Sequence, residues 1–136
     1  MSKKNKNKSF QDELPKIELE PIEKDTLHAY ELFLPFLGEE GLRKIFSHHP
    51  TYKTEGLQLF IDNMDKIFSE KTKLVNSYIN LTMKLDYSML NEKHNQVGIK
   101  ALEIFEKLLE KIKSLNESTD LNYDLNILIC AFLSNC

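Results

Sequence analysis

An all-α fold is what this sequence predicts, and three observations carry the prediction. Glycine and proline number four each in 136 residues, too few for a β chain built on tight turns. Apolar residues recur at three and four positions through most of the chain, the spacing of one helical face. Leu, Ile, Lys, Glu and Asn dominate, and 41% hydrophobic with 29% charged residues describes a globular chain rather than a disordered one. One compact domain is the expectation at this length.

The elements follow in order. Residues 10 to 23 contain two prolines and read as an extended lead-in, so the expected division is a disordered basic tail with lead-in over 1–22 and a helical domain over 23–136. A first helix begins near Asp25, with Leu27, Tyr30, Glu31 and Leu34 at helical spacing and Asp25 or Thr26 as its cap. Pro35 ends or breaks it. A second helix spans about Leu37 to Phe46, and Ser47 to Pro50 is a turn. The third starts at Thr51, where Thr51, Thr54 and Glu55 resemble a capping arrangement, and carries Leu57, Phe60, Ile61, Met64, Ile67 and Phe68 on one face. A fourth covers about Lys71 to Met89, with Leu74, Val75, Tyr78, Leu81, Thr82 and Leu85 expected inward. NEKHNQ (91–96) is a polar turn. The fifth, Val97 to Leu115, is the most regular and includes Leu102, Phe105 and Leu109. A sixth restarts at Leu121 and runs to Leu133.

Short connections make neighbouring helices antiparallel. Two hairpins result, residues 37–69 and 71–115. Consecutive helical hairpins of about 40 residues are the habit of an α-solenoid of HEAT or armadillo type, here with about two and a half repeats. Periodicity alone admits a plain helical bundle as well.

The formal charge of −3 is uneven: four lysines stand in the first eight residues, which leaves −7 on residues 9 to 136. Such a tail is a solvated arm with a general attraction to polyanions. Basic residues interleaved with aromatics are missing from the helices, which argues against nucleic acid as partner. The longest apolar run, ILICAFL (127–133), is too short for a bilayer-spanning helix, so no membrane partner is expected. Cys130 and Cys136 lack metal or redox spacing and suit reduced thiols in a cytoplasmic protein, Cys130 on an apolar helix face.

Catalysis and cofactors find no support in the motifs. His48 and His49 are adjacent, so on a helix they point about 100° apart and do not chelate one ion together. No phosphate-binding loop, nucleophile elbow or paired-carboxylate arrangement is present, and an enzyme is not expected. The charges of EKLLEK (106–111) read as a solvated face. What remains is the pair of turns SHHPTYK and NEKHNQ. In stacked hairpins such turns align along one edge. Both are polar and carry His48, His49 and Lys53, or Lys93 and His94, which makes an expected docking strip for an acidic protein surface.

Taken as a unit, LEPIEKDTLHAYELFLPFLGEEGLRKIFSHHPTYKTEGLQLF (19–60) resembles the opening of a TOG domain, the HEAT-type tubulin-binding domain of microtubule regulators. Glu20-Pro21, Glu23-Lys24, Gly38-Glu39, Ser47, Tyr52, Lys53, Glu55 and Leu57 carry the likeness, and VGIKALEIFEKLLEKI matches the helix after the second contact loop. The resemblance covers about residues 19 to 134, the N-terminal part of such a domain. It implies tubulin as partner, no enzymatic activity, and a cytoskeletal setting of centrosome or cilium. It assigns contacts to His48, His49, Pro50, Thr51 and Tyr52 in the first loop and to Lys93, His94, Asn95 and Val97 in the second, with Lys53 bracing the helix start. Where the family presents a tryptophan this chain has Pro50, and it contains no Trp. The alternative expectation is a helical adaptor that joins proteins without tubulin. In that case pairing runs through an exposed apolar end around Ile127 to Phe132.

Overall fold

The computed structural model describes residues 18–69, 71–90 and 92–134, and the predicted basic tail lies outside them. Within these residues the chain is helical without strands. The helices are α1 (Lys24–Ala29), α2 (Leu34–Ile45), α3 (Pro50–Ile67), α4 (Val75–Leu90), α5 (Asn95–Ser118) and α6 (Leu125–Ser134), with a 3₁₀ turn at Glu31–Phe33. The all-α prediction holds.

Pro35 does not end a helix. It stands in the first turn of α2, where a missing N–H costs nothing because that donor has no helical acceptor. The break comes instead at Gly38, whose φ of +72° and ψ of 168° interrupt α2. This left-handed region is open to glycine and strained for other residues. The predicted first helix is correspondingly cut short, with Tyr30 leaving α1 and Phe33 entering the core through the 3₁₀ turn.

α2 and α3 form an antiparallel pair closed by residues 46–49, and α4 and α5 form a second. α3 and α5, the second helix of each pair, pack on one another, and α6 rests on α5. The core runs through this stack. Phe33 meets Phe60 edge-on at 5.0 Å, while Leu42, Ile45, Leu57, Met64 and Ile104 are wholly buried. Tyr78 ties α4 to the first pair, its ring 5.9 Å from Phe36 and 6.0 Å from Phe33. Gly56 sets the closest approach of α2 and α3: a Cβ there would stand 2.6 Å from the backbone nitrogen of Ile45.

The inward face of α3 matches the prediction: Leu57, Phe60, Ile61, Met64, Ile67 and Phe68 are all buried. On α4 the predicted Thr82 and Leu85 are buried and Val75, Tyr78 and Leu81 pack half-buried against the core, but the buried stripe also takes in residues that the prediction left out. Ile79, Thr82, Met83, Leu85, Asp86 and Met89 are buried, whereas Leu74 precedes the helix and is 53% exposed. On α5, Leu102 is also exposed, because the core stripe follows Val97, Ala101, Ile104, Leu108 and Ile112. α5 further continues through Ser118, three residues beyond Leu115. In α6, Leu128 and Phe132 are buried, which corrects the predicted exposure of Phe132, while Ile127 is exposed as expected and Cys130 is exposed on a helix whose outer residues include Ile129 and Leu133.

Lysine placement organises the α3–α5 seam. Lys100 donates to Gln58 Oε1, and Lys107 Nζ donates to the Ile61 carbonyl at 3.2 Å. Lys107 and Lys111 both pair with Asp65, and the Lys111 ammonium foremost holds that carboxyl below its usual range. The lysines of EKLLEK therefore brace two helices rather than only solvate a face.

Candidate functional site

The two predicted contact turns meet at one end of the helix pairs. Lys53, in the first turn of α3, lies with Nζ 3.2 Å from Glu92 Oε1 in the turn before α5 and 3.8 Å from Met89 Sδ. The Lys53 side chain is only 12% exposed. It joins the turns, and the carboxylate of Glu92 offsets its charge. The expected positive strip is thus reduced at this residue.

Around the first turn, order comes from an unexpected source. Glu20, in the lead-in, accepts the Ser47 hydroxyl hydrogen bond at Oε1 and the His48 N–H at Oε2 (2.8 Å). Ser47 Oγ accepts the His49 N–H at 3.0 Å, and Ser47 is buried. Arg43 secures the same strand of lead-in by donating to the carbonyls of Glu20 (2.9 Å) and Leu19 (2.6 Å). The Ser47 hydroxyl foremost, with the His48 amide, pulls the Glu20 carboxyl down to about 2. Satisfying the amides beyond α2 in this way leaves the turn with a defined shape.

His49 is the residue preceding α3, and its side chain makes no cap. Pro50 is the first residue of the helix rather than part of the turn. Thr54 Oγ1 donates to the Pro50 carbonyl at 2.7 Å, and Glu55 pairs with Lys44 at 3.4 Å, so the expected capping arrangement of Thr51, Thr54 and Glu55 does not form. The Tyr52 ring stands 6.3 Å from that of His49, edge to face. His48 and Thr51 are exposed and His49, Pro50 and Tyr52 half-buried.

In the second turn Lys93 and His94 are exposed, as is Asn95, which is the first residue of α5 rather than part of the predicted turn. Val97 is not: it is 1% exposed and belongs to the core, so it offers no contact surface. A valine two residues into a helix points back toward the preceding turn and packs there. The edge that faces solvent therefore consists of His48, Thr51, Lys93, His94 and Asn95, with Tyr52 at its margin.

Sequence reasoning missed one group, Asp86. Asp86 is fully buried on α4 beside Thr82, which was expected inward, and neither side chain has a hydrogen-bond partner. Burial alone pushes the Asp86 carboxyl up to about 8, so it is mostly protonated at neutral pH. The signal in the sequence was spacing: Asp86 follows Ile79 by seven and Thr82 by four, on the apolar stripe. Among the described residues no group of three His, Cys, Asp or Glu is placed to hold a metal ion, and no helix is long and apolar enough to cross a membrane. Shallow grooves run between α4 and the segment 120–131, lined by Asn80, Tyr87, Tyr123 and Ile127.

Compared with family models, curated proteins and solved structures, the chain matches none.

Proposed function

We propose that this chain is a non-enzymatic helical-repeat module that docks on tubulin, or on a similarly acidic protein surface, through its turn edge. The observation that carries the reading is the Lys53–Glu92 contact, which fastens the α2–α3 turn to the α4–α5 turn. Two polar turns held at one end of stacked hairpins suit the α-solenoid reading and the edge-on binding that goes with it. The resemblance of residues 19–134 to a TOG domain supplies the partner, and a cytoskeletal setting at centrosome or cilium goes with that partner. Lys93, His48 and His94 are the residues assigned to the contact, because their side chains face solvent. Lys53 is assigned to positioning.

Gel filtration and co-sedimentation with purified tubulin at low salt test the reading. A complex is expected at protein concentrations on the order of tens of micromolar, weakened by salt because the contact is electrostatic. Lys93→Glu is expected to weaken it without changing the melting temperature. No complex under these conditions overturns the proposal. A second reading, a helical adaptor that does not bind tubulin, is favoured by the engagement of Lys53 with Glu92, which leaves the first turn without an exposed lysine.

A further inference from the structure

The permanent charges around the two turns are balanced. Lys53 is paired with Glu92, and Lys44 with Glu55. Arg43 is engaged by the Leu19 and Glu20 carbonyls and shares a groove with Glu20, Glu23 and His48. Lys93 is exposed in the second turn. Arg43 and Lys93 thus stand against Glu20 and Glu23, and the lysines, arginine and carboxylates cancel. An edge that docks electrostatically on an acidic surface needs a further source of positive charge.

Histidine supplies it. His49 and His94 occupy matching places, each the residue before the second helix of its pair, with φ, ψ of −93°, 119° and −91°, 122° and no side-chain cap. The His49 ring is half-buried against Tyr52, and its charge acts on the Glu20 carboxyl, so it is met within the chain. His48 gives its backbone N–H to Glu20 and is exposed, as is His94. Among the described residues neither of these two rings has an ion-pair partner.

We propose that protonation of His48 and His94 charges the turn edge, so that docking on an acidic surface strengthens as the pH falls through the range in which histidine gains its proton. This regulation rests on the turn edge being the docking surface. Histidine changes charge between about pH 8 and about pH 5. A carboxylate brought beside the ring favours the charged form, so docking takes up protons and protons reinforce docking. The added attraction is present at the acid end of the range and lost toward its alkaline end. Glu20, held down at about 2, stays ionised throughout. Asp86 does titrate near the upper limit, but it is buried in α4 and away from the solvent-facing edge.

Calorimetric titration of the full chain with purified tubulin, and separately with poly-L-glutamate, at about pH 6, about pH 7 and about pH 8 and constant ionic strength tests this. The expected result is a Kd about tenfold lower at the acid end, with up to about two protons taken up per chain. His48→Gln with His94→Gln should abolish the dependence and leave the weak alkaline affinity, at an unchanged melting temperature. Each single variant should remove about half of the dependence on a logarithmic scale. His28→Gln is the control: His28 pairs with Glu31 at 3.5 Å beside α1, and its loss should leave the dependence as in the parent. Equal affinity at all three pH values, or a double variant that keeps the parent's dependence, overturns the inference and leaves the docking edge standing. Histidine-dependent binding to polyglutamate without a tubulin complex upholds the inference and removes tubulin as the partner. Binding to neither probe overturns both.

Discussion

Lys53 and Glu92, 39 positions apart in sequence, form the ion pair that holds the two turns of the candidate edge together. Lys53 is the less exposed partner, and its ammonium also approaches Met89. The pair is therefore structural before it is functional. Lys53→Ala and Glu92→Ala should each lower stability, and the double variant should reveal a coupling of about 0.5–1 kcal/mol in urea denaturation. A coupling near zero would mean the turns are positioned without it.

Asp86 sets a pH dependence of unusual sign. Its carboxyl is raised from 3.8 to about 8, so the folded state holds a proton that the unfolded chain releases. The stabilising effect of that proton is complete below pH 4 and declines as pH rises to about 8, at up to about 1.4 kcal/mol per pH unit. Asp86→Leu should flatten the decline and raise the melting temperature at pH 7, since it replaces an unpartnered buried acid by an apolar side chain. Melting curves of both proteins between pH 5 and pH 9 check this.

Glu20 works in the opposite direction. Its carboxyl is held down at about 2 by Ser47 and His48, so its contribution is present above pH 4.5 and lost as the pH falls toward 2. Glu20→Gln and Ser47→Ala should free the lead-in while α2–α5 stay folded. Limited proteolysis is expected to cut the variants between residues 18 and 23 faster than the parent.

The glycines separate by what surrounds them. Gly56→Ala forces a methyl group onto the backbone of Ile45 and should cost about 2–3 kcal/mol. Gly98→Ala meets nothing within 4 Å inside a helix and should stabilise by about 0.5–1 kcal/mol. Gly38→Ala also has space, but its φ of +72° makes the change unfavourable by about 1–2 kcal/mol. Thermal denaturation of the three variants ranks them.

Helical periodicity made the α3 core legible because its six apolar positions have no competing stripe. The same periodicity read only part of α4, where Leu74 is exposed and Asp86 is buried. Hydropathy assigns a carboxylate to solvent, and only the surrounding helices decide that this one is buried and protonated. The turns of the edge were readable from composition. Their charge balance was not, since the pairing of Lys53 with Glu92 depends on how two hairpins stack. Nor could spacing reveal that Glu20 would reach a turn 27 residues later.

That last contact gives the molecule a route for mechanical load. Tension on the chain N-terminal to Leu19 is borne first by Arg43 through two backbone carbonyls and by Ser47 through the Glu20 carboxylate. Those anchors sit at the end of α2 and in the turn that leads to the candidate docking edge. A pull on the lead-in thus meets these hydrogen bonds to α2 and the turn before it reaches α1 along the chain.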